Sequence, residues 1–370
     1  MSRSLSADQI SQLRLHSQQL TPDPEPDATV AEVVNRVAGV QTQDARSAAL
    51  SVRARCLGIT AKDVERALTR TRQVVRSWLM RGTLHLAAAD EVGWLLSVLG
   101  PRFKKTTRRR REQLGLDDET AARGARVLEE VLRHRGPLTR DEIRTAPDFD
   151  DVPLEGQAAP HLLGYAALDG RVCHGPKRSG APTYVPLSEW LDLADAPPAH
   201  KARARLAHHY LRAFGPARPR DMARWSGLTL TQSRKGFEQI ECELLEITGG
   251  EEPLWMLEEE HRQLDKSPRP STARLLPKYD TLLTGYRIRD WILPEPHVDR
   301  IYPGGGLLRR SVLAGGRIVG TWDPERKCEE TLRVGVDLFE ETPTSTRDAL
   351  APEAEDVGHF FGREGSLEIT

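Results

Sequence analysis

Cysteine is scarce and scattered: Cys56, Cys173, Cys242 and Cys328 are the four in 370 residues, and no two lie close together. That spacing suggests neither a zinc cluster nor a disulfide framework, so the four are read as reduced thiols, mostly in the core. Long apolar runs are missing too. None approaches the roughly 20 residues that cross a bilayer, and the start, MSRSLSADQI, carries no hydrophobic signal segment. A cytoplasmic protein with no membrane partner is expected. Net charge is nearly absent, since 53 Lys plus Arg against 54 Asp plus Glu leave −1. What remains is a chain long enough for two or three compact units, each with its own buried core.

Near neutrality hides an uneven distribution. The stretch Arg102 to Arg111, RFKKTTRRRR, places seven cationic side chains in ten residues, and HKARARLAHH (200–209) is a second basic segment. Acidic runs such as EEPLWMLEEE (251–260) offset them. A solvated helix face explains any one such run. Two together point to a polyanionic partner, with Arg102, Lys104, Lys105, Arg108, Arg109, Arg110 and Arg203 as candidate phosphate contacts and a steep loss of affinity in salt.

Apolar residues at three-to-four spacing predict helices in ADQISQLRLHSQQL and VAEVVNRVAGV, on either side of a proline-rich link, TPDPEPDA. AKDVERAL reads as another helix, and VVRSWLMRGTLHLAAADEVGWLLSVLG as a β-like run leading into a helix from Ala89 or Asp90. Residues 1–123 form a mainly helical region. In 124–198, ARVLEEVLRHRG, GPLTRDEIRTA and GQAAPHLLGYAALDG read as three helices and RVCHGPKRSGAPTYVPL as a hairpin, the elements of a winged helix-turn-helix. His174, Lys177 and Arg178 fall near the tip of that wing, with Lys177 and Arg178 as further candidate DNA contacts. The same order recurs in 199–265, predicting a second winged helix. The last unit, 266–370, has short β-like runs broken by glycine, including LLPKYDTLLTGYRIRDWILP, and predicts a small antiparallel sheet or barrel. The fold class is therefore α+β.

The segments GVQTQDAR (39–46), SWLMRGTLHLA (77–87), FGPARPRDMARWSGL (214–228), LLPKYDTLLTGYRIR (275–289) and AGGRIVGTW (314–322) span nearly the whole chain. Together they resemble the AlkZ/YcaQ family of winged-helix DNA glycosylases. In that family a Gln, one intervening residue and then Gln or Asp form the catalytic motif; Gln41, Thr42 and Gln43 match its two-glutamine AlkZ branch. The resemblance implies tandem winged helices forming a C-shaped concave cradle around double-stranded DNA, with no metal, cofactor or obligate protein partner. It further implies excision of crosslinked or bulky alkylated purines in the nucleoid and self-resistance to a DNA-alkylating natural product. Thr42 departs from the pattern, since the middle position is often apolar.

The chemistry agrees, provided the substrate is already activated. Alkylation at N7 makes a purine cationic and a good leaving group, so little push is required. A neutral amide is a poor general base, yet its oxygen can orient a water or stabilise a sugar cation and its nitrogen can donate a hydrogen bond. Residues two apart diverge by about 200° on a helix but share a side in extended chain. The motif is therefore expected on a loop or at a helix terminus after Gly39. Asp44 is an accessory candidate, with helix capping the stronger reading, and His85 in RGTLH is a second. Arg76 and Arg81 read as partners of acids, and Trp78, Trp225 and Trp322 as packing. A bulky crosslinked base cannot swing fully out of the duplex, which favours an open cradle. Two other classes use the same elements: a winged-helix transcription regulator, which makes no abasic product, and a non-catalytic damage-binding protein.

Overall fold

Apolar periodicity becomes helix here mostly where a capping residue precedes it. Thr29, Thr60, Thr139 and Thr229 each accept from the backbone three residues on, while Glu32, Asp63, Glu142 and Gln232 reach back to the threonine backbone. Such reciprocal caps satisfy donors that a helix start leaves unpaired and contribute about 1 kcal/mol each. The computed structural model describes residues 2–21, 28–149, 151–249, 252–263, 273–326 and 330–370. Most of the proline-rich link, Cys328, Glu251 and the boundary at 265 lie outside the described residues.

The fold is mixed α+β with four sheets among the described residues. The first has Leu84–Ala88 at its centre, flanked antiparallel by Val40–Gln41 and Val74–Trp78. Its central strand runs directly into a helix of 25 residues, Ala89–Gln113, so the whole basic stretch is helical. Helices Asp118–Arg135, Arg140–Arg144 and Ala158–Leu168 precede the hairpin Val172–His174 with Thr183–Pro186, which Leu138–Thr139 extends. Helices Ala199–Phe214, Pro219–Ser226 and Leu230–Glu238 precede the hairpin Leu244–Thr248 with Leu254–Leu257. Ser2–Ser4 joins that hairpin in parallel, a pairing that local periodicity does not reveal.

The C-terminal sheet differs from expectation. It has five strands in the order Arg274–Leu276, Ser311–Ala314, Arg317–Arg326, Thr331–Leu338, Glu364–Ile369, and the last pair is parallel. Parallel neighbours need a crossover connection, supplied by the 17-residue helix Thr344–Phe360, whose internal Pro352 obscures its periodicity. The run after Leu276 is not strand; Asp280 caps a short helix, Thr281–Thr284.

Packing ties the chain's two ends together. One apolar core joins Val33, Val34, Val40 and Leu86 with Val312, Trp322, Val334 and Phe360. Buried ion pairs reinforce that junction: Arg55 meets Asp280 at 2.8 Å, and Arg53 meets Glu353 at 3.0 Å and Asp356 at 2.9 Å. Both arginines belong to the stretch that follows the glutamine motif, so the C-terminal unit holds the motif's supporting helix in place.

Candidate active site

The glutamine motif lies in extended chain between two helix ends. Helix Val30–Arg36 gives way to Ala38 and Gly39, with φ values of 57° and 92°. A Cβ on Gly39 would stand 3.0 Å from Met80 Cε and 3.1 Å from the Leu86 carbonyl, so glycine is required on both steric and conformational grounds. Gln41 then pairs with His85 across the sheet, and the Thr42 N–H donates to the Leu84 carbonyl at 2.8 Å. Asp44 ends the extended segment. Its Oδ1 accepts from the Arg46 and Ser47 N–H groups and caps helix Ala45–Arg53.

Extended backbone puts the two amides on one side, and Gln41 Nε2 donates to Gln43 Oε1 at 2.8 Å. Gln43 is exposed, Gln41 is 7% exposed, and Thr42 is buried at 1%. The interior environment of Thr42 accounts for the apolar residue more usual there.

Arg81 completes the arrangement, and not as a partner of an acid. It occupies a left-handed backbone position, φ 56°, between the strands Val74–Trp78 and Leu84–Ala88. Its Nη2 donates to Gln41 Oε1 at 2.6 Å and its Nη1 to the Trp225 carbonyl at 2.6 Å. A guanidinium can only donate. The Gln41 oxygen must therefore face Arg81 and its nitrogen must face Gln43, and among the described residues nothing accepts from the Gln43 nitrogen. Burial, helped by nearby Arg224, pushes Arg81 down to about 10, which keeps it charged at neutral pH. The RGTLH string contained this residue, but a contact set by a turn 40 positions from Gln41 leaves no periodic signal.

His85 is buried, and burial and then Arg81 push its imidazole down to about 3, so it is neutral at pH 7. Its Nδ1 lies 2.9 Å from the Thr83 carbonyl. Because a carbonyl only accepts, Nδ1 carries the proton and Nε2 is the acceptor. The glutamines therefore stand beside a cation, a neutral imidazole and a carboxylate already engaged in capping. Among the described residues no group of three His, Cys, Asp or Glu is gathered for a metal.

Cationic groups surround this centre unevenly. Arg220, Arg224, Arg287 and Arg289 line an open cavity of about 490 Å³. The Arg220 guanidinium pairs with Glu252, and Arg289 lies 4.3 Å over the Tyr302 ring. The basic helix starts against the same turn: Arg102 Nε donates to the Gly227 carbonyl at 3.3 Å, and a Cβ on Gly227 would meet Phe103 Cζ at 2.7 Å and Arg81 Cα at 3.0 Å. Further along, Lys104 pairs with Asp169, Arg108 with Glu112 at 2.8 Å, and Arg110 donates to Gln157 at 2.6 Å. Lys105 and Arg109 are exposed, whereas Arg111 is buried against Asp118 and the Tyr165 ring. Lys177 is exposed on the hairpin loop, Arg178 pairs with Glu142 at 2.5 Å, and half-buried Arg203 lies beside Gly236. Trp225 and Trp322 are core, and Trp78 stacks on His174.

The family model for AlkZ-like DNA glycosylases matches residues 34–360. The chain belongs to the AlkZ-like DNA glycosylase family and is a DNA glycosylase. An interstrand DNA cross-link repair glycosylase of Streptomyces sahachiroi is 29% identical over 333 residues, 85% of this chain and 87% of that protein. The solved structure of the Streptomyces sahachiroi DNA glycosylase AlkZ superposes with a TM-score of 0.82 at 25% identity, covering 100% of both chains. No helix among the described residues of this AlkZ-like chain is long and apolar enough to cross a membrane.

Proposed function

We propose that this enzyme hydrolyses the N-glycosidic bond of N7-alkylated, bulky or interstrand-crosslinked purines in double-stranded DNA, with Gln41 and Gln43 as its catalytic amides. Acting at the nucleoid in the cytoplasm, it would protect a cell exposed to its own DNA-alkylating product. The observation that carries this reading is the locked pair: Arg81 orients Gln41, Gln41 orients Gln43, and the neighbouring Asp44 uses Oδ1 to cap a helix. Neither amide can strip a proton from water. The pair suits a substrate whose positive charge already weakens the bond.

In the proposed step the electron pair of the C1′–N9 bond moves into the purinium ring and neutralises it. Water oxygen closes on C1′, its proton passes to solvent, and the amides orient the water and stabilise charge at the sugar. Undamaged bases, which would leave as anions, are spared. The name of the relative, a cross-link repair glycosylase, supports extension to crosslinks. We read the hairpins after the helix triplets as wings, with Lys177 and Arg178 near one tip, and Lys105, Arg109 and Arg224 as phosphate contacts. A duplex carrying N7-alkylguanine or a matched crosslink, incubated with the enzyme and then alkali, should break at the lesion while the undamaged duplex stays whole. Lesion-selective binding without breakage would contradict catalysis and leave a damage-binding protein.

A further inference from the structure

Behind the glutamine motif, on the side opposite the two amides, lies a second cavity of about 160 Å³ bounded by Thr42. Its floor is apolar, from Val64, Leu68 and Phe360, and its walls carry Arg46, Arg76 and Lys177 against one carboxylate, Glu65. Arg76 donates to the Thr42 carbonyl at 3.1 Å, and among the described residues no carboxylate partners it. Its Nε is buried without a hydrogen-bond partner. His174 also lines the cavity, is 8% exposed, and has no partner at either ring nitrogen. Its ring packs against Trp78, at 5.3 Å, and Tyr184, at 4.7 Å, rings that also contact each other. Burial holds the imidazole at about 3, so it offers one N–H and one lone pair at neutral pH. An unmatched guanidinium and an unsatisfied imidazole, both desolvated, are costly unless a ligand completes them. Exposed Arg46 and Lys177 leave the mouth open to solvent.

We infer that this cavity receives one phosphate–deoxyribose unit of the DNA strand near the lesion, the oxyanion on Arg76 and His174 and the sugar on the apolar floor. Because Arg76 also holds the Thr42 carbonyl, filling the cavity braces the backbone between the two glutamines. A guanidinium fork and an N–H beside aliphatic carbon match an anionic, part-apolar unit better than they match a flipped base, whose edge needs several acceptors. The inference rests on the chain's acting on DNA but not on the chemistry assigned to Gln41 and Gln43.

The test is a binding measurement on the full chain, so failure of amide catalysis would not affect it. Duplexes with one methylphosphonate, stepped through the positions around the lesion, are titrated against wild type, Arg76→Gln, His174→Phe and Lys177→Gln. Neutralising one position should weaken wild type about tenfold, the size of a charge-assisted hydrogen bond, and leave Arg76→Gln and His174→Phe nearly unchanged. Arg76→Gln and Lys177→Gln should each lower the slope of log affinity on log salt by up to about 0.9, one phosphate's worth. Lys177 sits on an exposed loop, so its variant reads out even if the buried ones fail to fold. Equal penalties in all four proteins, or unchanged salt slopes, would overturn the inference. So would saturable binding of inorganic phosphate alone with no coupled methylphosphonate position, which would mark a site for a free oxyanion.

Discussion

At the residue scale, the proposed chemistry turns on how few groups surround Gln41. Among the described residues Arg81 is the only cation hydrogen-bonded to it, and its second bond, to the Trp225 carbonyl, fixes the guanidinium from the far side. Arg81→Met frees the Gln41 amide to rotate. Single-turnover excision of N7-alkylguanine should fall about ten- to a hundredfold, less than the roughly hundred- to thousandfold of a lost donor that meets the transition state directly, because Arg81 only positions the amide, while lesion-duplex affinity falls less. Equal losses in rate and affinity would make Arg81 a phosphate contact instead. Histidine titration gives a second expectation. Burial pushes His85, His174 and His209 each down to about 3 from 6.5. Below about 6.5 the unfolded chain binds protons that the folded one does not, so stability is full above that pH and lost progressively as pH falls toward 3. Melting temperature should decline across that window, and excision should stay flat between about pH 7 and 8, where His85 does not titrate. A rate that rises with a group titrating near neutrality would indicate a general base outside the amides. The two glutamines were legible from sequence as a motif; Arg81 and the four-arginine cavity were not, because each is assembled from turns far apart in the chain.

At the element scale, Asp44 links the motif to its supporting helix. Its carboxylate caps Ala45–Arg53 through two backbone N–H groups. Asp44→Asn keeps an accepting oxygen and should leave both stability and excision near parental, whereas Asp44→Ala should cost about 1 kcal/mol in urea unfolding. If Asp44→Asn lost activity with its melting temperature unchanged, the negative charge itself would be at work on the substrate. Capped amphipathic helices such as Ala61–Thr69 and Leu230–Glu238 were readable because threonine and its partner three residues on announce the start before the apolar face begins. The helix Thr344–Phe360 was not, since Pro352 interrupts its pattern, and neither was Ser2–Ser4, whose pairing depends on residues some 240 positions away. The run 277–289 misled because apolar residues there serve a buried turn around Asp280 and Tyr286.

At the scale of the whole molecule, the N-terminal region that bears the motif and the C-terminal sheet share one core, pinned by buried charge. Asp280 and Arg55 are both fully buried, and Ser51, Thr281 and Gln18 add further hydrogen bonds to the pair. Asp280→Ala strands the guanidinium and should destabilise by about 3–5 kcal/mol in urea unfolding; a cost under about 1 kcal/mol would mean that the junction relaxes and contributes little to holding the motif. Near-neutral charge masks a surface on which cations proposed to meet phosphate, Lys105 and Arg109 on one helix, Lys177 on a hairpin loop and Arg224 on another helix, come from separate parts of the sequence, so composition could suggest a polyanion but not its path. The proposed function converges on two neutral amides acting on a base that damage has already made cationic. The direct measurement is single-turnover excision of N7-alkylguanine from duplex DNA by Gln41→Ala, Gln43→Ala and the double variant, with lesion binding measured in parallel. At least a hundredfold loss in the double variant, with binding retained, is expected; cleavage at the parental rate would contradict amide catalysis outright.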